Sequence, residues 1–282
     1  MGFSFSDWLD SLCWDMLHHV SLDTQWLLRQ TIYTAASRRQ VIATLPFRQG
    51  QTVADLGTGY GIMAIELAQA FGLEAIGVDI DSQVLSHAQS LARMIYGDQS
   101  PVRFVNADAS NLPFASHSLD GITVRFLFQH LKNPETVAHE ISRILKANGV
   151  IFVEDIDDGL TLEYPPPPDS WQHVVAAFAR LQSLRGGDRQ IGRKLPSYLH
   201  NAGFIIDSVQ IQPMAQFMPR NFSGAAAQFE RERVAQVLPE LYTQQLLTPD
   251  EWLTAEKELI STEGHCVMQT ASTFRVLAHR PI

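Results

Sequence analysis

The stretch Val53-Ala54-Asp55-Leu56-Gly57-Thr58-Gly59-Tyr60-Gly61 constrains this chain more than any other. An apolar run ends in three glycines at alternate positions, and Ile62 to Phe71 then continues as an apolar, helix-compatible segment. The pattern predicts a strand, a tight turn and the start of a helix. Glycine reaches positive φ without a steric penalty and lets a ligand approach the backbone. A helix N-terminus there presents free N–H groups and the positive end of its dipole.

The same alternation continues down the chain. Strands are predicted at 75–78, 102–105, 119–124 and 150–153, with helices at about 82–95 and 134–145. Short apolar runs alternating with amphipathic stretches mean βαβ units and a parallel sheet. Runs such as Val150-Ile151-Phe152-Val153 are apolar on both faces, as buried parallel strands require. Before this region, residues 1–50 read as helices, from Trp8, Leu12, Leu17 and Val20 and then Leu27, Leu28 and Ile32, with Ser21 and Asp23 as caps. After it come the proline run 165–168, helices at 169–184, 192–202, 223–238 and 249–263, and strands at 204–212 and 271–278.

Asp79 follows Gly61 by eighteen positions and ends the second strand, where an acid can bind both hydroxyls of a ribose. A dinucleotide turn needs G-x-G-x-x-G, but position 62 is Ile, which breaks the pyrophosphate pattern. Asp55 points a carboxylate toward the turn, which would repel a pyrophosphate and attract an ammonium. The ligand should carry an amino group, a carboxylate and an adenosine, and S-adenosylmethionine fits.

With those residues in view, the chain resembles the class I S-adenosylmethionine-dependent methyltransferases, nearest to the ubiquinone/menaquinone-biosynthesis type and its small-molecule relatives. Five stretches carry the resemblance: Asp55 to Gly61, Gly77-Val78-Asp79-Ile80, Asn106 to Phe114, Ser118-Leu119-Asp120-Gly121 into Gln129-His130-Leu131, and Glu140 to Lys146 with Gly149. The resemblance implies an α/β, Rossmann-like seven-stranded sheet, mostly parallel with the last strand antiparallel, and helices on both faces. It implies that Asp55 helps hold the methionine amino group, through water. Gly57 and Gly59 line the methionine and sulfonium, and Gly61 completes the turn. Asp79 holds the ribose and Ile80 packs on adenine. Asp108 accepts from the adenine amino group and the Ala109 N–H donates to the ring. Val124 and Arg125 pass beside the methionyl chain. Gly186-Gly187-Asp188 with Gly192-Arg193 recurs in similar methyltransferases, and its plain role is a turn and a helix start.

Methyl transfer needs an aligned nucleophile, and a base only where the acceptor must lose a proton. His130, after the fourth strand, and Glu154, ending the fifth, are the candidate bases. Segments leaving the carboxyl ends of the strands lie on the ligand side of such a sheet. The expected division is therefore N-terminal helices over 1–45 as a lid, a cofactor-binding core over 46–212, a helical lid insertion over 213–268 and a last core strand over 269–282. Trp8, Trp14, Tyr33, Phe126, His130, Trp171 and Phe229 are the expected linings of an acceptor pocket.

Composition narrows the alternatives. The 282 residues hold 21 Lys and Arg against 30 Asp and Glu, a net charge of −9, which disfavours a nucleic-acid partner. The fourth strand is followed by Arg125-Phe126-Leu127, without the Asn/Asp-Pro-Pro-aromatic pattern of enzymes that methylate exocyclic amines. A cofactor-binding scaffold without turnover remains an alternative, as does a nicotinamide oxidoreductase, which Asp55 and Ile62 oppose. Charged residues are 18 %, below the usual roughly 25 %, which points to a large core or a homo-oligomer interface. Cys13 and Cys266 lack disulfide-framework or metal spacing, and the ten His residues show no metal motif, so no metal is expected. No Lys or Arg precedes Arg29 and no apolar run nears 18 residues, so a cytoplasmic chain without signal peptide or membrane span is expected.

Overall fold

The computed structural model describes residues 4–222 and 231–282. The predicted helix over 223–238 therefore lies partly outside the described residues, and Phe229 wholly so; residues 231–235 are helical. In chain order the elements are α1 (Phe5–Met16), α2 (Leu22–Tyr33), α3 (Ala35–Ile42), β1 (Thr52–Leu56), α4 (Ile62–Phe71), β2 (Glu74–Asp79), α5 (Ser82–Tyr96), β3 (Val102–Asn106), β4 (Leu119–Arg125), α6 (Pro134–Ile144), β5 (Leu145–Ile156), β6 (Leu162–Tyr164), α7 (Asp169–Leu184), α8 (Leu195–Asn201), β7 (Ile205–Pro219), α9 (Leu238–Thr243), α10 (Pro249–Ile260) and β8 (Cys266–His279).

The chain divides into two compact units. The larger comprises 45–166, 179–217 and 267–282 and contains an eight-stranded sheet of order β3-β2-β1-β4-β5-β8-β6, with β7 also paired to β8. β1 to β5 are mutually parallel, and β8 runs antiparallel to β5 from Val150↔His279 to Ile156↔Thr273. This is the expected α/β architecture with one strand more than the seven expected. The extra one is β6, three residues that pair Leu162–Tyr164 with the start of β8, too short to leave a periodicity in sequence.

Alternate residues of the strands build the core. Ala54, Leu56, Ile76, Val78, Ile122, Val124, Ile151, Val153, Val276 and Ala278 share one face and pack with Val137, Ala138, Ile141 and Ile144 of α6 and Leu195 and Leu199 of α8. The opposite face carries Gly77 and Gly121, where aromatic rings come close: an ideal Cβ on Gly77 would lie 2.5 Å from Phe104, and one on Gly121 2.3 Å from Phe47. β7 and β8 both extend beyond their expected ends. The chain pairs on past Pro213, which lacks an N–H and is tolerated on an edge strand, and closes with Arg220 N donating to His265 O and Gly264 N to Arg220 O, each at 3.0 Å. Strand pairing rather than apolar alternation sets those ends.

The smaller unit comprises 1–44, 167–178 and 218–266 and is helical over most of its described length. Its α1 begins with a capping box, in which Ser4 and Asp7 satisfy one another's amides. Leu9, Leu28, Val41, Val174, Leu241 and Trp252 are buried in it. Among the described residues no helix is long and apolar enough to cross a membrane.

Candidate functional site

The glycine turn between β1 and α4 adopts the conformation its sequence demands. Gly57, Gly59 and Gly61 have φ of 71°, 52° and 76°, in the left-handed region. The Gly57 and Thr58 amides donate to Val78 O at 2.8 and 3.0 Å, which ties the turn to β2. Gly61 is the N-cap of α4, and an ideal Cβ there would lie 2.5 Å from the Phe104 ring. The third glycine thus permits both the backbone angle and a close approach.

Asp79 ends β2 beside this turn. Its Oδ2 accepts from the Gly59 amide at 2.8 Å and its Oδ1 from the Asp81 amide at 3.1 Å. A carboxylate offers roughly four acceptor sites, so each oxygen can take a further donor. Asp81 caps α5 by accepting from Gln83 N and Val84 N, as its position suggests. Ile80 is 72 % exposed, an unusual state for isoleucine. Asn106 Nδ2 fixes its backbone by donating to Asp79 O and Ile80 O at 3.0 and 2.8 Å. Asp108 is exposed and accepts from Ser110 N and Oγ through Oδ1, bonds that hold its carboxyl below the usual range.

Asp55 is buried beneath the turn. Its oxygens accept from the Thr58 and Thr123 hydroxyls at 2.7 and 2.8 Å. Burial raises its pKa to about 6, against the lowering by those two bonds. Thr58 and Thr123 belong to the site, and sequence reading missed them because one is in the loop and the other on β4, joined only by sheet register.

Arg125 and Glu154 are Cα partners across β4 and β5, and Glu154 and Arg275 are partners across β5 and β8. Glu154 is fully buried and accepts from Arg125 Nε at 2.6 Å, Arg275 Nε at 2.8 Å and Thr273 Oγ1 at 2.8 Å. Burial alone would raise its pKa, but the two guanidinium charges and their bonds outweigh it and hold the carboxyl low. Three of its roughly four acceptor sites are taken, and the carboxylate is weakly basic. In this arrangement Glu154, expected as a general base, anchors two arginines.

Arg125 also stacks on Phe126, 4.9 Å from its ring centroid. Phe126 has φ of 58°, a rare and costly conformation for a bulky residue and one that clusters at functional sites. His130 is exposed and closes the single 3-10 turn Phe128–His130 that follows. Among the aromatics expected to line an acceptor pocket, Trp8, Trp14 and Tyr33 are exposed. Trp171 is 9 % exposed and meets Trp252 of the same unit with rings tilted at 47°, centroids 6.0 Å apart. Among the described residues no group of three or more His, Cys, Asp or Glu is placed to hold a metal ion.

Comparison with known proteins agrees with this geometry. Residues 54–153 match the family described as "Methyltransferase domain". The chain is 29 % identical over 176 residues to the demethylmenaquinone methyltransferase of Desulfitobacterium hafniense (strain Y51), an alignment covering 61 % of this chain and 66 % of that protein, just under two thirds of its length. It is 26 % identical over 237 residues to the 27-O-demethylrifamycin SV methyltransferase of Amycolatopsis mediterranei (strain S699), covering 83 % and 82 % of the two chains. The fold is shared with the Haemonchus contortus phosphoethanolamine N-methyltransferase 2, solved in complex with S-adenosyl-L-methionine, at a TM-score of 0.55 and 20 % identity over 88 % of this chain and 53 % of that one. At that identity the likeness is one of fold.

Proposed function

We propose, from the methyltransferase domain that residues 54–153 make up, that this chain transfers a methyl group from S-adenosylmethionine to a small-molecule acceptor by direct displacement. The observation that carries the reading is the joint placement of the glycine turn, Asp79 and Ile80. The residues present fit the cofactor. Asp79 has acceptor capacity for two ribose hydroxyls, and exposed Ile80 offers an apolar ledge for a base. Asp108 keeps an oxygen outside its bonds to Ser110, for an exocyclic amine, with the Ala109 amide beside it. The left-handed turn at Gly57 and Gly59 gives backbone room for the methionyl portion. When bound, the cofactor supplies an electrophilic methyl group on a sulfonium.

The chain's own residues then bind, orient and exclude water. Asp55 acts on the ammonium at one remove, through the hydroxyls and water around it. Arg125, held by Glu154, flanks the methionyl chain. His130 takes a proton where the acceptor must lose one. The lid role expected for 1–45 and 213–268 belongs to this proposal, as do a cytoplasmic location and the absence of a nucleic-acid partner. Titration calorimetry against S-adenosylhomocysteine and a nicotinamide dinucleotide tests the reading. Saturable heat with the first alone supports it, and none with the first overturns it. Release of a labelled methyl to phenols, alcohols or amines then separates an enzyme from a cofactor-binding scaffold.

A further inference from the structure

The segment Gly186-Gly187-Asp188-Arg189-Gln190-Ile191-Gly192-Arg193 does more than turn the chain toward α8. Arg189 donates through Nε and Nη2 to Asp158 at 2.8 and 2.9 Å, and Arg193 through Nε and Nη2 to Asp157 at 2.6 Å each. Two forked pairs thus fasten the segment just past the end of β5. Its glycines allow close approach: an ideal Cβ on Gly187 would lie 2.6 Å from Gln129 O, and one on Gly192 2.8 Å from Ile156 O.

What the segment grips is the turn after β4. Asp188 N donates to Gln129 O, and Arg189 Nη1 to Gln129 Oε1, both at 2.9 Å. From the β5 side, the fully buried Asp155 accepts from Gln129 N through Oδ2 at 3.1 Å and from Ile156 N through Oδ1 at 2.8 Å. The same turn reaches the glycine loop, because a Cβ on Gly57 would lie 3.2 Å from the Leu127 side chain.

We propose that Asp155 and Arg189 are positioning residues: through Gln129 they hold the Phe126–His130 turn, and hence Leu127, against the cofactor loop at Gly57, so cofactor affinity depends on the Asp155 carboxylate. The inference rests on the cofactor reading above. Neither residue touches the cofactor in it. An ionised Asp155 accepts from both amides, whereas a protonated one turns an oxygen into a donor and holds the amide on that oxygen more weakly.

Burial raises the Asp155 pKa to about 7, with its amide bonds and the charge of Arg189 pulling it down. Around it stand Glu154, Asp157 and Asp158 on its own segment, His130 on the turn, and Asp188, Arg189, Arg193 and Lys194 on the clamp; the core side chains of α6 and α8 on this face are apolar.

The test compares wild type, Asp155→Asn and Arg189→Gln by S-adenosylhomocysteine calorimetry from about pH 6 to 8 and by hydrogen exchange of the 126–130 amides. Both variants should bind about tenfold more weakly at the upper pH, a size typical of coupling through a packed network. The 126–130 amides should exchange about tenfold faster without ligand. Wild-type affinity should fall more steeply than that of Asp155→Asn as the pH drops; Asp55 and His130 are common to both, so the difference between the two profiles isolates Asp155. Affinity and exchange like wild type in both variants overturn the proposal. So does a lowered melting temperature with an unchanged affinity and pH profile, which marks a purely structural role. If Asp155→Asn does not fold, Arg189→Gln and the wild-type profile decide. No binding by wild type overturns the cofactor reading instead, and ligand-free exchange at 126–130 still decides the positioning.

Discussion

The Oδ2 atom of Asp79 accepts a hydrogen bond from the Gly59 amide at 2.8 Å, joining the acid that ends β2 to the glycine loop that ends β1. The carboxylate shapes the loop, and in the proposed reading it also holds the ribose hydroxyls. Asp79→Ala should weaken S-adenosylhomocysteine binding by about 1.5–3 kcal/mol, the range for hydrogen bonds to a charged group. Asp79→Asn should lose less, since one acceptor remains. Calorimetry at matched pH measures both, and wild-type affinity in the alanine variant would reduce Asp79 to a loop brace.

Glu154 lies between two guanidiniums in a buried ladder across three strands. Glu154→Gln leaves both positive charges without their shared carboxylate, and breaking a buried pair this way costs about 3–5 kcal/mol. Pairing it with Arg275→Met should recover part of the loss. Urea denaturation measures each variant; a loss below about 1 kcal/mol, the value of an exposed pair, would contradict the account.

Gly61→Ala should be far more costly than Gly203→Ala. Both positions have positive φ, 76° and 91°, but a Cβ at 61 meets Phe104 at 2.5 Å while the space around 203 is open. The backbone term is about 1–2 kcal/mol in each. Overpacking adds about 1–3 kcal/mol at Gly61 alone. Equal losses in thermal denaturation would show that Phe104 gives way.

The pH dependence of stability has two opposed parts. Asp55 and Asp155 have pKa values raised by burial to about 6 and about 7, so their contribution is fully present below the ordinary carboxylate range and is lost as pH rises through those values. Glu154 and Asp157 are held low by arginines that outweigh burial, so theirs is present above that range and lost as pH falls below it. Between about pH 5 and pH 8, wild type should lose stability relative to Asp155→Asn. Denaturation curves at the two pH values check the sign, and a constant difference would mean that Asp155 does not titrate in that window.

Hydrogen exchange with S-adenosylhomocysteine should slow in the described parts of 1–45 and 213–268 and barely change in β1, β4 and β5. Lids are drawn from the less stable parts of a fold. Sizing at the same concentrations separates this from an oligomer interface, and unchanged exchange in both segments would end the lid assignment.

Local sequence was enough for everything that depends on neighbours along the chain. The alternation around 52–156 determined a parallel sheet because buried strands and amphipathic helices have distinct periods, and α4 begins and ends at the expected Ile62 and Phe71. The spacing of the three glycines determined the loop, since few other residues reach those angles. The capping of α5 by Asp81 follows from its place just before Ser82. Tertiary structure decided what depends on register and on burial. Glu154 reads as a free acid at a strand end; only the pairing of β4, β5 and β8 shows that two arginines, 29 residues before it and 121 after it, occupy its oxygens. Asp155 reads as its equal, yet strand alternation turns it to the other face, where amides of the 126–130 turn and its own strand end surround it. One residue along a strand reverses the face, and two adjacent carboxylates thereby acquire opposite pKa shifts and separate roles.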